Sequence, residues 1–410
     1  MTNKIVITGM GVLSPIGIGR NIYWEALFQG KTGFHPITLF DTSSFHLKIA
    51  GEVIDFDPLS FLGKKSIRDL DRSTKLICSA TKLAIDDSKL EITEYNTHSI
   101  GVSIGTTFGS LHSISQFDQT GLIEGPRFVN PSHFPNTVIN SPASQVSIRF
   151  KIKGFNTTIS TGFCASLDAV SYAADFIRLN RTNVVLTGGV EELCEEIFLG
   201  FHNLKYLSGT NGTEPMCCPF DGRRSGTILS EGAAVLVLES EEYALTRGAN
   251  ILAQVLGYAN AFDPSADSNF NHSGSGLKSA ITIAIKDAAI NLEDIDYICA
   301  CANSSKGLDR METNVIKELF GKCASTLPVS SIKSMVGESF SASGALSLAA
   351  AIGVIQKGLL VPTVNYKVKD PRCDLDYVPN AARRKQVRTV LVTATDPYGQ
   401  NAAMILGAHK

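Results

Sequence analysis

The chain has 410 residues, of which 44% are hydrophobic and 19% are charged. This length and composition predict two or three domains with a sizeable core, and they exclude a disordered chain or a mini-protein held together by disulfides. The formal net charge of −2 at pH 7 excludes a general attraction to nucleic acid or anionic lipid, so neither is expected as a partner.

Short runs of β-branched and apolar residues predict strands along the whole chain. Longer segments with helical spacing separate these runs, and this alternation is typical of βαβ units around mostly parallel sheets. Several runs are apolar on both faces, which favours strands that are covered on both sides. In chain order, the predicted strands are residues 4–8, 100–104, 156–160, 183–187, 233–239, 251–258, 297–301, 327–330 and 388–394.

Three segments of the first half of the chain have counterparts in the second half, in the same order and at similar spacing. The pairs are 99–110 with 296–307, 156–178 with 327–357, and 183–189 with 389–395. We therefore expect a duplicated α/β unit, with an N-terminal half at residues 1–250 and a C-terminal half at residues 251–410 that pack as one body. The alternative is that any α/β chain contains such loose parallels.

Cys164 occupies the sharpest local pattern in the sequence. A β-branched run at 157–160 leads to Gly162, and apolar residues recur at helical spacing after Cys164. Cys164 is therefore expected at a strand-to-helix turn, where free backbone N–H groups and the helix dipole stabilise a thiolate and can hold an oxyanion. The alternative role is a small buried side chain that fills space in the core.

The nine cysteines are an odd number without a regular framework, which favours reduced thiols and a cytoplasmic protein. Neither Cys217–Cys218 nor Cys299-x-Cys301 has the spacing of a zinc site, so no metal site is expected. The first residues lack the apolar length of a signal peptide, and the apolar stretch 342–361 is interrupted by polar residues, so no membrane span is expected.

Residues 157–192 (TTISTGFCASLDAVSYAADFIRLNRTNVVLTGGVEE) resemble the active-site segment of the β-ketoacyl-acyl-carrier-protein synthases, the condensing enzymes of fatty acid and type II polyketide assembly. The similarity continues in KIVITGMGVLSPIG at 4–17, PFDGRRSGTILSEGAAVLVLE at 219–239 and KSMVG at 333–337, and it covers essentially the whole chain in the right order. The resemblance implies a thiolase-like fold, in which two similar βαβ halves form a five-layered α-β-α-β-α sandwich.

Elongating members of this family use one Cys and two His residues. The family pattern places Cys164 on the nucleophile, Cys301 on the first His position and Glu338 on the second, so both imidazoles are absent. In the family, these imidazoles stabilise the enolate-like charge that forms when malonyl-carrier protein loses CO₂, and one donor of this kind is worth ~2.7 to 4 kcal/mol. Decarboxylative condensation is therefore expected to be impaired, whereas acyl loading onto Cys164 is less demanding. Lys333 and Glu312 match residues that pair near the site, and a structural ion pair is expected for them.

The resemblance also assigns residues to substrate contacts. Asn303 and Ser305 take two Thr positions that bind the phosphopantetheine arm of an acyl-carrier protein, which is a substrate, so no bound cofactor is expected. Tyr398 and Gln400 fall in a shortened version of a glycine-rich loop that gates the acyl site and supplies an oxyanion N–H, so the oxyanion hole is expected to be incomplete. Phe108 replaces a smaller aliphatic residue of the acyl pocket and is expected to limit chain length, with core packing as the alternative.

Lys65 and Arg68 match positions at which family members dock the acidic carrier protein. A solvated helix face is the alternative, because Asp69 and Asp71 dilute the positive charge of this segment.

Two functions follow from the resemblance. The first is a partner subunit of a complete ketosynthase, similar to the chain-length factors of type II polyketide or fatty acid assembly, although such factors often lose the Cys as well. The second is an acyltransferase that loads an acyl group from acyl-carrier protein onto Cys164 and passes it on, or condenses slowly. A dimer is expected, and homodimer and heterodimer both stay open. A housekeeping fatty acid synthase ranks third because both His residues are missing.

Overall fold

The computed structural model of the chain describes residues 3–209, 212–265 and 273–409. Its strands are β1 (Ile5–Ser14), β2 (Gly17–Ile18), β3 (His35–Pro36), β4 (Ile49–Ala50), β5 (Ile100–Gly105), β6 (Asn156–Ile159), β7 (Val184–Glu191), β8 (Gly232–Ser240), β9 (Ala253–Phe262), β10 (Tyr297–Cys299), β11 (Val329–Ser330), β12 (Leu359–Leu360), β13 (Arg383–Arg384), β14 (Thr389–Thr395) and β15 (Gln400–Gly407). Its α-helices are α1 (Arg20–Gln29), α2 (Pro58–Leu62), α3 (Arg72–Ser88), α4 (Leu111–Ile123), α5 (Ser141–Phe150), α6 (Ala165–Arg178), α7 (Glu195–Asn203), α8 (Glu241–Thr246), α9 (Ser275–Ala288), α10 (Lys306–Phe320), α11 (Lys333–Val336) and α12 (Ser341–Lys357).

The main sheet contains the same strand arrangement twice. In the N-terminal half the order across the sheet is β6-β5-β7-β8-β1, and in the C-terminal half it is β11-β10-β14-β15-β9. If the five strands of each half are numbered in chain order, both halves have the order 3-2-4-5-1. The two halves join where β1 and β9 pair antiparallel at Ile5–Val255, Val6–Gln254 and Ile7–Ala253. Each of the three repeat pairs in the sequence supplies strands at equivalent places in the two halves, so the duplication is confirmed.

Helices and the two halves of the sheet stack in five layers. α6 and α12 pack against each other in the middle layer. α6 also packs against β5 and β7, and α12 packs against β7, β8 and β14. α3 and α5 cover the outer face of the N-terminal half, and α9 covers β9 and β15 on the outer face of the C-terminal half. One large apolar cluster fills the middle of the stack and one fills each outer side. The expected five-layered, thiolase-like sandwich is therefore confirmed.

The expectation of mostly parallel sheets is wrong. β5 pairs parallel with β6 and β7, and β10 with β11 and β14, but β8 and β15 are antiparallel to both of their neighbours. β15 follows β14 through a four-residue connection at 396–399, and a connection this short forces an antiparallel hairpin. The Asp, Pro, Gly and Asn residues around this turn conceal the start of β15, which was not among the predicted strands.

The parallel strands explain why distant segments of the chain meet at one place. Carboxyl ends of parallel strands lie at the same edge of a sheet, and the loops that follow them form crevices there. Phe108 follows β5, Cys164 follows β6, Cys301 follows β10, Glu338 follows β11, and Asp396 follows β14. The fold thus brings candidate residues from both halves to one site. No helix within residues 3–209, 212–265 and 273–409 is both long enough and apolar enough to cross a bilayer.

Candidate active site

Cys164 lies where the sequence pattern predicts it, between a strand and a helix. β6 ends at Ile159, a single 3₁₀ turn covers Gly162–Cys164, and α6 begins at the next residue. Gly162 has a φ of 60°, and a Cβ at this position would lie 1.9 Å from Oδ2 of Asp396, so only Gly fits. Cys164 is fully buried.

The expected stabilisation of a Cys164 thiolate is wrong. Burial raises the pKa of the Cys164 thiol well above its ordinary value, and the nearby Asp168 and Asp396 carboxyl groups raise this pKa further. Lys333 acts in the opposite direction but does not compensate. The desolvation of a buried thiolate therefore outweighs the dipole of α6, and the resting side chain is a neutral thiol.

Near neutral pH, we expect iodoacetamide to alkylate Cys164 at least about tenfold more slowly than Cys323, which is an exposed cysteine. A raised thiol pKa lowers the reactive thiolate fraction near neutral pH, by about tenfold for each unit, and burial restricts access as well. Peptide mass spectrometry over time gives both rates, and the Cys164 rate is expected to keep rising with pH. Denatured protein is the control, in which the two rates should converge. Equal rates in the native protein would contradict this electrostatic description.

Cys301, which the sequence resemblance assigns to the first His position, faces a carboxylate. Its Sγ lies 3.2 Å from Oε1 of Glu312, and its backbone N–H donates to the same oxygen at 3.1 Å. The Ala302 N–H donates to Oε2 at 2.9 Å, and the Thr393 hydroxyl donates to Oε1 at 2.6 Å. Burial and the Glu312 charge raise the pKa of the Cys301 thiol. The thiol proton is therefore directed at Glu312 and is not available to an oxyanion.

Glu338, which the sequence resemblance assigns to the second His position, is a buried carboxylate that accepts hydrogen bonds from four donors. Lys333 Nζ and Asn303 Nδ2 donate to Oε2 at 2.8 and 2.9 Å. The Phe340 N–H and the Ser343 hydroxyl donate to Oε1 at 3.1 and 2.9 Å. A carboxylate only accepts hydrogen bonds, so Glu338 cannot replace an imidazole N–H donor.

The prediction that Lys333 forms an ion pair with Glu312 is wrong. Lys333 pairs with Glu338 at 2.8 Å, and the two side chains are only 4% and 0% exposed. Burial lowers the pKa of Lys333, but attraction to Glu338, Cys301 and Glu312 outweighs it, so the pKa lies above its ordinary value. The second carboxylate, absent from the family pattern, lies closer to the ammonium group.

The expected arm contacts differ in availability. Both N–H groups of the Asn303 amide are occupied, one by Glu338 and the other by the Tyr206 hydroxyl at 2.9 Å. The Ser305 hydroxyl has no hydrogen-bond partner and borders a cavity of about 220 Å³. Lys205 and Lys306 also border this cavity. The Asn303 amide donors are therefore occupied, whereas the Ser305 hydroxyl is buried at the cavity wall without a hydrogen-bond partner.

A second cavity of about 260 Å³ is lined mainly by apolar side chains, and its lining includes Gly162 and Phe163, the two residues that precede Cys164 in the chain. Phe108 is one of the residues that line this cavity. Tyr398 borders both cavities, so it lies where they meet. Gln400 borders neither cavity and begins β15.

The loop after β14 is folded on the carboxylate of Asp396, which the sequence analysis did not identify. Oδ1 of Asp396 accepts the N–H groups of Tyr398 at 2.8 Å and Gln400 at 3.1 Å. The N–H of Cys164 donates to the Thr161 carbonyl at 3.3 Å. Backbone donors from both sides of the expected oxyanion hole thus already have acceptors.

Phe340 is a second residue that the sequence analysis missed. It is the one bulky side chain in the run GESFSASG at 337–344, and this interruption of small residues is the feature that could have revealed it. Its ring contacts Phe108, Phe163 and Phe201.

Lys65 and Arg68, the expected docking residues, lie in the exposed segment between α2 and α3. The Arg149 guanidinium donates to the carbonyl oxygens of Lys65 at 3.3 Å and Ser66 at 3.2 Å and so supports the shape of this segment. Both side chains are accessible to a partner.

Comparison with known proteins identifies close relatives over the full length. The family model "Beta-ketoacyl synthase, N-terminal domain" matches residues 2–244, and "Beta-ketoacyl synthase, C-terminal domain" matches residues 252–367. The chain is 36% identical over 405 residues to 3-oxoacyl-acyl-carrier-protein synthase 2 of Coxiella burnetii, with 98% of each chain covered. It is also 36% identical over 417 residues to the tetracenomycin polyketide synthase ketoacyl synthase alpha subunit of Streptomyces glaucescens, with 99% of this chain and 97% of that protein covered. The solved structure of the ishigamide ketosynthase/chain length factor superimposes with a TM-score of 0.94 at 33% identity, with 100% of both chains covered.

Proposed function

Because the chain belongs to the β-ketoacyl synthase family, we propose that it is a non-elongating ketosynthase-like subunit that pairs with a complete ketosynthase in fatty acid or type II polyketide assembly. The observation that carries this proposal is the Glu338 carboxylate, which accepts four donors at a position where condensation needs a donor.

The chemistry of condensation explains why this observation matters. Loss of CO₂ from a malonyl thioester places negative charge on the enolate oxygen, and the site must supply hydrogen-bond donors to that oxygen. Here Glu338 presents a carboxylate, and the Cys301 thiol proton is directed at Glu312. An anionic neighbour destabilises a developing enolate, so the barrier to decarboxylation rises in addition to the ~2.7 to 4 kcal/mol for one lost donor.

The edge of the sheet supports the partner role. β6 pairs with β5 on one side and with no other strand of the described residues on its second side, and its own residues are partly or fully exposed. An open edge strand is a template for pairing with another chain. α5 contacts both β6 and the segment 122–139 that precedes it. This segment exposes large apolar side chains, namely Leu122, Ile123, Phe128, Phe134, Val138 and Ile139. Exposed apolar groups of this kind favour a protein interface.

The cavity beside Ser305 supports binding of an acyl-carrier protein. A phosphopantetheine arm carries a phosphodiester, and Lys205 and Lys306 place two ammonium groups at the border of this cavity. Lys65 and Arg68 add positive charge on an exposed surface that suits the acidic surface of a carrier protein. The arm enters as part of the substrate in this proposal.

A second candidate function is supported by the apolar cavity that ends next to Cys164. In this alternative, Cys164 accepts an acyl group from the carrier thioester, the carrier thiol leaves with the proton, and the acyl group then passes to another nucleophile. The raised pKa of Cys164 makes this transfer slow in the isolated chain.

Two experiments test the proposal, one on the purified chain and one on the chain co-expressed with a partner. Malonyl-carrier protein is expected to lose CO₂ no faster with the wild-type chain than with a Cys164→Ala variant, and co-expression with a complete ketosynthase from the same cell is expected to yield a stable one-to-one complex. Rapid decarboxylation by the wild-type chain alone, together with ketone product that disappears in Cys164→Ala, would refute the partner role. Mass spectrometry of Cys164 after incubation with acyl-carrier protein tests the second candidate, which requires an acyl adduct.

A further inference from the structure

Phe340 has a backbone conformation that an L-residue rarely adopts. Its φ of 49° and ψ of −116° match the first central residue of a type II′ turn, a position at which Gly is normally found. The side chain is nevertheless a fully buried aromatic ring. Strained residues of this kind persist only where surrounding contacts hold them, and they cluster at functional sites.

Glu338 supplies the contact that holds Phe340. Oε1 of Glu338 accepts the Phe340 N–H at 3.1 Å, and the Ser343 hydroxyl donates to the same oxygen at 2.9 Å. The other oxygen binds Lys333 and Asn303. A carboxylate can anchor both groups of donors at once because its two oxygens accept in different directions.

The Phe340 ring supports the aromatic wall of the apolar cavity. Its centroid lies 5.3 Å from that of Phe108, 5.0 Å from that of Phe163 and 4.8 Å from that of Phe201. These three rings line the cavity, and Phe340, which does not line it, packs against all three. A smaller side chain at position 340 would leave space for these three rings to move away from the cavity, and the cavity would lengthen.

We propose that Phe340 is the specificity-determining residue that limits this chain to short acyl groups, and that Glu338 is the positioning residue that holds the Phe340 ring in place. In this proposal, the Glu338 side chain has two consequences: it removes the imidazole donor at the second His position, and it holds the ring that shortens the acyl pocket. This inference rests on the proposed function only in that an acyl chain enters the apolar cavity.

Binding of acyl-pantetheine amides tests the inference without any reaction at Cys164, because an amide does not transfer its acyl group. Titration calorimetry with acetyl to dodecanoyl amides gives the affinity for each length. For the wild-type chain, each added methylene is expected to raise affinity about fourfold until the acyl chain reaches the rings that Phe340 supports, after which the affinity stops rising. Phe340→Leu and Phe340→Gly are expected to move this limit to longer chains. The Gly variant also relieves the backbone strain, so it tests the limit if the Leu variant folds poorly.

Three further variants separate the roles of ring, anchor and general packing. Phe198→Leu is the matched control, since Phe198 is an equally buried ring that packs on Phe40 and Phe45 and does not line the cavity. It is expected to keep the wild-type limit. Glu338→Gln keeps an oxygen acceptor for the Phe340 N–H and is expected to keep the limit, whereas Glu338→Ala is expected to lose the sharp limit.

Three outcomes would overturn the inference. They are an unchanged limit in both Phe340 variants, a limit that moves equally in Phe198→Leu, and an absence of amide binding at every length in all proteins. Absence of an acyl adduct on Cys164, with a clear length limit in amide binding, would contradict only the acyl-loading function and would leave the role of Phe340 standing.

Discussion

A Cys301→His/Glu338→His double variant is expected to decarboxylate malonyl-carrier protein at least about 10²-fold faster than the wild-type chain. The two substitutions restore imidazole donors at both positions of the family pattern and remove the Glu338 charge. One donor to a developing oxyanion is worth ~10²- to 10³-fold in rate, and residues that act as a unit are not additive, so the single-donor value is the lower bound. Each single variant is expected to stay near the wild-type rate. In Cys301→His the Glu338 carboxylate remains beside the new imidazole, and in Glu338→His the Cys301 thiol still occupies the other donor position.

Release of CO₂ per folded protein measures this effect, with the folded fraction taken from thermal unfolding of each variant. Cys301→Ala/Glu338→Gln is the matched control, which removes the same thiol and the same charge without adding imidazole. It is expected to stay near background. A wild-type rate as high as that of the double variant would show that the chain decarboxylates by a route that needs neither imidazole.

The position of Cys164 could be predicted from sequence because it depends on local patterns. A β-branched run, Gly162 and an amphipathic helix are consecutive in the chain, and each favours its own conformation without help from distant residues. The duplication could be predicted for a similar reason, since equivalent segments recur in the same order. The structure agrees in both cases.

The sign of the Cys164 pKa shift could not be predicted from these patterns. A helix start is visible in sequence, but the depth of burial and the approach of Asp396 from the far end of the chain are tertiary features. The ion-pair partner of Lys333 was missed for the same reason. Glu312 and Glu338 are both compatible with the sequence, and only their distances from Nζ decide between them.

The backbone conformations of Phe340 and β15 could not be predicted from local sequence patterns. No L-residue is expected at the φ of Phe340, because the contact that stabilises it comes from a neighbouring carboxylate and three distant rings. β15 starts inside a segment with turn composition, and its strand conformation depends on pairing with β14 and β9 on its two sides. In both cases tertiary contacts override the local preference.

Removal of one partner of the Lys333–Glu338 pair is expected to destabilise the fold strongly. Glu338→Ala leaves the Lys333 ammonium, which is 4% exposed, without its carboxylate partner, and Lys333→Met leaves the Glu338 carboxylate without its ammonium. An unpaired buried charge lowers the free energy of unfolding by about 3–5 kcal/mol. Chemical denaturation of each variant measures this change.

The double variant Lys333→Met/Glu338→Ala distinguishes a charge effect from lost packing. Neither buried charge remains, so its loss of stability is expected to be about 1–3 kcal/mol smaller than the sum of the single losses. The exposed Lys317–Asp374 pair, whose side chains are 45% and 48% exposed, is the matched control, and its single variants are expected to lose less than about 1 kcal/mol.

Because the pKa of Lys333 is raised, the contribution of Lys333 to the free energy of unfolding is complete below its ordinary pKa and disappears as the pH rises through the folded-state value. The coupling should therefore be constant from neutral to mildly alkaline pH. Simple additivity in the double variant would mean that Glu338 acts through its hydrogen bonds to Phe340 and Ser343 alone, and that Lys333 is not part of the structural unit at the second His position.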